Sequence, residues 1–178
     1  MRRYLIYLAC VLISLGGCGY TSRSLIADKY KTIAIPPFTS SIDITSEQQA
    51  SRGYVTYRPA LERDVTKRAI DRFMLDGNLR IVKSEEADLV LIGELKEFVR
   101  DAVRYDDDDN VEEYRITITV GVILKDRREN KTVWDDSTVA GDTTYFLTGP
   151  NAKSEEAAVN DALDDLARRI VERTVEYW

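Results

Sequence analysis

With 178 residues, 31 acidic against 25 basic and no histidine, the chain is long enough for one domain with its own core and too acidic to hold nucleic acid through phosphate neutralisation. The missing histidine removes Ser-His-Asp and Cys-His catalysis and the commonest transition-metal ligand. No G-x-x-x-x-G-K or G-x-G-x-x-G motif cradles a phosphate.

Met1-Arg2-Arg3 is followed by an apolar run from Tyr4 to Leu15. A basic start and an apolar core of this length read as an export signal, not as a membrane-spanning helix, which needs about 20 apolar residues. The run ends Leu15-Gly16-Gly17-Cys18, which resembles a bacterial lipobox. The resemblance implies cleavage before Cys18 and acylation of its thiol and new amino terminus. The second cysteine, Cys10, lies inside residues 1–17, so no disulfide partner is left. Removing Arg2 and Arg3 takes the formal charge from −6 to −8. Position 19 is Gly and not the Asp that goes with inner-membrane retention in lipoproteins, so the resemblance implies the outer membrane.

Residues 18–29 read as a polar tether. "YKTIAIPPF" (Tyr30 to Phe38) reads as a strand stopped by Pro36-Pro37. Thr39 to Thr56 is polar and without period and long for a loop; it reads as a binding segment, a small hairpin or an insertion, with the insertion favoured. Pro59 suits a first helical turn. Leu61, Val65, Ala69 and Phe73 recur at fours with Ile70 beside them, and Gly77 stops the helix. "NLRIVKS" is a short strand; "ADLVLIGELKEFV" (Ala87 to Val99) is a longer, central one. After the acidic turn "YDDDDNVEEY", the stretch "RITITVGVILKD" alternates. Ile116, Ile118, Val120, Val122 and Leu124 face one way; Arg115, Thr117, Thr119 and Gly121 face the other. "RRENK" is the next turn, and Thr132 to Leu147 a further strand, bent near Gly141 and broken by Gly149-Pro150. A last helix runs from about Ser154 to Tyr177 on a stripe of Val159, Leu163, Leu166 and Ile170, with Glu155 and Glu156 in its first turn.

This order predicts an α+β fold: a two-layer sandwich with a mixed four- to five-stranded sheet and two helices on one face. The other face is left to solvent or a partner, and Thr117, Thr119, Thr143 and Tyr145 are expected on it.

Taken together, "CGY" (Cys18 to Tyr20), "KTIAIPPF", "ADLVLIGEL", "EYRITITVGVILKD", "TVWDDSTVAG" and the closing "EEAAVNDALDDLARRIVERTVEYW" resemble the LptE family in order and spacing, from Cys18 to Trp178. The long Thr39 to Thr56 segment departs from it. The resemblance implies an outer-membrane lipoprotein that plugs the LptD β-barrel, helps it fold and assists lipopolysaccharide insertion into the outer leaflet. It implies no catalytic residue and no cofactor. The domain plan is a signal at 1–17, a lipidated tether at 18–29 and one α+β domain at 30–178.

Arg100, Arg104 and Arg115 near one hairpin end are candidates for lipopolysaccharide phosphates, as are Lys125, Arg127, Arg128 and Lys131 at the next turn and Lys153 before the last helix. Thr117, Thr119, Thr143 and Tyr145 are candidate partner contacts. The acidic turn from Asp106 fails the EF-hand pattern, with Val111 at position six and Thr117 at position twelve. It reads as a solvated hairpin tip, with cation bridging to lipid phosphates as the alternative. Trp134 and Trp178 read as packing residues, Trp178 with a second reading as a sheet cap or barrel contact. A regulatory lipoprotein of a peptidoglycan synthase or secretion channel is a rival that can share the same anchor and a small α+β domain; a glycan hydrolase would need the paired carboxylates of the acidic turn, whose adjacent, solvated groups have no cause for separated pKa values.

Overall fold

The computed structural model describes residues 29–42 and 58–176. The signal segment, Cys18, the tether before Lys29, the part of the polar insertion from Asp43 onward, and Trp178 lie outside the described residues.

The elements run β1 (Thr32–Ala34), β2 (Thr39–Ser40), α1 (Leu61–Asp76), β3 (Arg80–Ile81), β4 (Leu89–Tyr105), β5 (Val111–Asp126), β6 (Lys131–Phe146) and α2 (Glu155–Val175). The sheet has six strands, ordered β3-β1-β4-β5-β6, with β2 continuing beside β4 beyond the end of β1. β1 pairs in parallel with β3 and β4, and β2 in parallel with β4, while β4, β5 and β6 form an antiparallel meander. This is the expected mixed sheet with one strand more. Pro36-Pro37 end β1, but the chain rejoins the sheet two residues later, because Phe38 is buried where Gly93 leaves room for its ring. A Cβ on Gly93 would lie 2.0 Å from Phe38 Cε1. The first residues of the polar insertion are thus strand.

α1 buries Leu61, Val65, Thr66, Ala69 and Phe73, the predicted stripe with Ile70 only half-buried. It begins after Pro59, not with it: Pro59 lies in a turn and Ala60 stands in the left-handed region at φ 63°. Gly77 ends the helix in the same region, its N–H bonded to the Phe73 carbonyl. Ser154 caps α2 by accepting from the Ala157 N–H at 3.2 Å, ahead of Glu155 and Glu156.

Both helices pack into one core with the sheet. Ile116, Ile118, Val120, Val122 and Leu124 of β5 face them, each no more than 1 % exposed, and Trp134 is buried beside them. Burying each such side chain stabilises the fold by about 1.5–3 kcal/mol relative to exposure. Gly141 has a packing role and is not a bend. A Cβ there would lie 2.4 Å from Leu166 N and 2.5 Å from Ala162 O, so the missing side chain lets α2 lie directly on β6. The irregularity in β6 falls earlier, between the pairs Val120–Val139 and Val122–Asp136.

Candidate functional site

The face of β4–β5–β6 away from the helices is uncovered among the described residues. On it Thr117 stands between Val99 and Asp142, and Thr119 between Glu97 and Ala140. Thr143 and Tyr145 do not join them. Thr143 pairs with Ile116 and Tyr145 with Tyr114, so both point to the helix side, and Tyr145 is buried. The cause is the irregularity at residues 136–139. It inserts an extra residue and reverses which parity of β6 faces the core. A matching irregularity between Leu95 and Glu97 does the same in β4. Buried Leu91 and Leu95 are therefore followed on the same face by Phe98 and Arg100.

Nearer the β5–β6 turn, the open face presents Ile92 beside Ile123 and Ile123 beside Asp135. Next to them lies a cleft of about 280 Å³ lined by Gly121, Glu94, Lys96, Asp136, Ser137 and Thr39, among others. The Glu94 and Lys96 side chains, both from β4, pair with each other at its wall.

The eight candidate cations divide between the two ends of the sheet. From Arg115 to Lys125, ten residues at about 3.4 Å each separate the ends by roughly 34 Å, so they form no single site. At one end Arg100 pairs with Glu155, and its guanidinium carbon lies 4.7 Å from the Tyr114 ring centroid. Tyr114 stacks on Tyr145 with centroids 5.9 Å apart. Burial opposes the Arg100 charge, yet the neighbouring Glu155 holds its pKa above the ordinary value. Burial, with the Glu155 charge, also pushes the Tyr145 hydroxyl up. Arg104 lies 3.7 Å from Glu113 and over the Phe146 ring, and Lys153 donates to Asp161 at 2.6 Å. At the other end Arg127 Nε donates to the Ala87 carbonyl at 2.8 Å and Arg128 Nη2 to Asp88 Oδ1 at 2.5 Å. Arg115, Lys125 and Lys131 have no side-chain partner among the described residues.

Two carboxylates that the sequence reading passed over organise that second end. Asp88 Oδ2 accepts from the N–H groups of Lys31 and Thr32 at 2.9 and 3.1 Å and from the Thr32 hydroxyl at 3.0 Å. Asp126 Oδ2 accepts from Tyr30 Oη at 2.8 Å, and its Oδ1 from the N–H groups of Arg128 and Glu129 at 2.8 and 3.0 Å. Both carboxyls are held below the usual carboxylate range. The Lys31 N–H is the largest cause for Asp88 and the Glu129 N–H for Asp126. Their signal in the sequence is an Asp at the edge of an apolar strand, in "ADL" and "LKD".

The acidic turn is a stapled hairpin tip. Asp106 Oδ1 accepts from the N–H groups of Asp108 and Asn110 at 2.9 and 2.8 Å. Asp109 takes the left-handed conformation at φ 62°. The Asn110 N–H, first among the donors, lowers the Asp106 pKa. Among the described residues no group of three or more His, Cys, Asp or Glu side chains is placed to hold a metal ion.

A family model described as LptE, lipopolysaccharide-assembly, matches residues 30–174. No curated protein sequence matches the chain. Among solved structures, the hypothetical protein CT253 from Chlamydia trachomatis superposes with a TM-score of 0.55 at 16 % identity, covering 83 % of this chain and 97 % of its own. It shares the fold. A minor lipoprotein from Acinetobacter baumannii gives 0.49 at 15 % identity, with 83 % of this chain and 94 % of its own covered. The rare lipoprotein B from Shewanella oneidensis gives 0.44 at 17 %, covering 81 % and 93 %.

Proposed function

Because the chain belongs to the LptE family of lipopolysaccharide-assembly proteins, we propose that it is an outer-membrane lipoprotein that plugs an LptD-like β-barrel, helps that barrel assemble and assists lipopolysaccharide insertion into the outer leaflet. Residues 1–17 are removed in export, acylated Cys18 anchors the product, and residues 18–29 tether one domain running from 30 to 178. Several acyl chains on Cys18 hold stably where one would be marginal, at about 0.8 kcal/mol per buried CH₂. No reaction is assigned to the chain.

The observation that carries this reading is the uncovered sheet face. Three strands of 16–17 residues pack their helix side into the core, and no described residue covers the other side. At its centre short side chains alternate with carboxylates: Thr117 stands between Val99 and Asp142, and Thr119 between Glu97 and Ala140. Such a surface suits the curved inner wall of a barrel. Contact with lipopolysaccharide phosphates falls first to the cations without an internal partner, Arg115 at one end and Lys125 and Lys131 at the other. The remaining five candidates would have to exchange an existing partner for a phosphate.

The test is depletion in the native host, scored for surface lipopolysaccharide, together with co-purification in mild detergent. Loss of surface lipopolysaccharide and recovery of a large heat-modifiable barrel are expected. Recovery of a peptidoglycan synthase instead, with surface lipopolysaccharide intact, would replace this function with the regulatory one.

A further inference from the structure

We propose that the cleft over Gly121 receives an arginine side chain projecting from the barrel wall. The inference rests on the reading that the open face meets a barrel. Its starting point is a position where the strand carries no side chain: Gly121 lies on the open face of β5, paired with Glu94. Its φ is outside the left-handed region, so nothing in the backbone demands glycine there. What the glycine provides is space, since a Cβ would meet only the flexible end of Lys96, at 3.1 Å, and the Ser137 backbone beyond 3.6 Å.

Size and charge choose the occupant. At about 280 Å³ the cleft lies just below the ~300–1,000 Å³ of sites for drug-sized ligands. A single side chain fits and a multiply acylated lipid does not. Beside the cleft, Ile92 and Ile123 are 40 % and 37 % exposed and directly paired, forming an apolar step. The walls carry Glu94 and Asp135 against the single ammonium of Lys96, while Asp136, across from Val122, turns its carboxylate toward Arg173 of α2, 3.9 Å away. Glu94 is taken by Lys96. Asp135 has no side-chain partner among the described residues. An apolar step leading to an unpaired carboxylate matches a side chain with a hydrocarbon stem and a cationic head. Of such side chains arginine is the one enriched at interface hot spots, and its planar fork meets a carboxylate through two N–H groups. A phosphate entering the cleft could pair with Lys96 but would face the carboxylates of Glu94 and Asp135.

The full chain and its barrel are co-expressed in the native host and recovered through a tag on the chain. Gly121→Leu fills the cleft and Asp135→Lys reverses its charge. Each is expected to lower barrel recovery at least tenfold while the melting temperature of the free domain is unchanged. Gly121→Ala, which leaves most of the space, is expected to retain recovery. Full recovery with both Gly121→Leu and Asp135→Lys overturns the proposal. A photocrosslinker, p-benzoylphenylalanine in place of Ile123, reads the occupant directly. The crosslinked partner peptide should contain an arginine whose change to Gln lowers the crosslink yield; a lipid adduct, a peptide without a basic residue, or no crosslink overturns the proposal. If the unaltered chain recovers no barrel, the barrel reading fails and the cleft as proposed falls with it. Recovery that is insensitive to both substitutions removes the cleft alone.

Discussion

The two faces of β5 share one backbone and one set of ladder hydrogen bonds, yet they differ in almost everything else. Toward the helices, Ile116 through Leu124 at every second position are buried to within 1 %. Toward the open side, Arg115, Thr117, Thr119, Gly121, Ile123 and Lys125 are half-buried or exposed, though they lie as close to their cross-strand neighbours. The difference teaches that folding and recognition use alternate residues of the same strand. A substitution at an even position should act on the free domain, and one at an odd position only on a complex.

The largest effect expected is from Ile118→Ala. It removes a fully buried side chain from the covered face and should cost about 2–5 kcal/mol, read as a lowered urea midpoint of the isolated domain. A loss below about 1 kcal/mol would mean that α2 relaxes onto the sheet and that the two faces differ less than their burial suggests.

Next comes Asp88→Ala, which asks whether stability is confined to the covered face. It strips the Lys31 and Thr32 N–H groups of their shared acceptor and leaves Arg128 unpaired. Buried donors left without partners cost about 1–3 kcal/mol, so a loss of about 2–3 kcal/mol is expected. A larger loss from Asp88→Ala than from Ile118→Ala would move the main support of the fold from the core face to the strand ends.

The same carboxylates set the pH response. Asp88 and Asp126 titrate lower in the folded chain than in the unfolded one. Their contribution is therefore complete above the unfolded value of about 3.9 and is lost as pH falls through the lower folded values. With no histidine in the chain, urea midpoints should be flat from about pH 8 to 5 and fall below about pH 4. A decline between pH 7 and 5 would point to some other group.

The smallest effect on the free domain belongs to Thr117→Lys, within about 0.5 kcal/mol. The same change should sharply reduce barrel recovery, because an unpaired charge is costly to desolvate. An unchanged melt with full recovery would remove the open face from the interface and turn attention to the helices.

Much of the fold was legible because its elements keep their periods. Leu61 to Phe73 at fours, and Ile116 to Leu124 at twos, needed only one count each. The sequence reading failed where a period is interrupted. Trp134 and Tyr145 differ in parity yet lie on one face, since an extra residue between them resets the alternation. Strict alternation from buried Trp134 leads to the open side for Thr143 and Tyr145, where they were expected, and the extra residue turns both to the helix side. Leu95 and Phe98 carry the same reset in β4. The charged groups were harder still. Arg100, Arg115 and Arg128 look alike in a sequence, and only the long-range pairs of Arg100 with Glu155 and Arg128 with Asp88 set these engaged cations apart from Arg115. The Gly121 cleft had no signal beyond a glycine in a strand.

The pairing of β1 also has a consequence in time. In the sheet its three residues pair with β3 and β4, so that Ile33 meets Ile81 and Leu89. The meander β4–β5–β6 is instead joined by short turns and needs no contribution from the start of the chain. Local contacts close faster than distant ones. The meander is expected to form first and β1 to join late, by threading between β3 and β4. Because the acyl anchor proposed here precedes β1, a pull on the membrane-attached end would be felt first at the strand that arrives last.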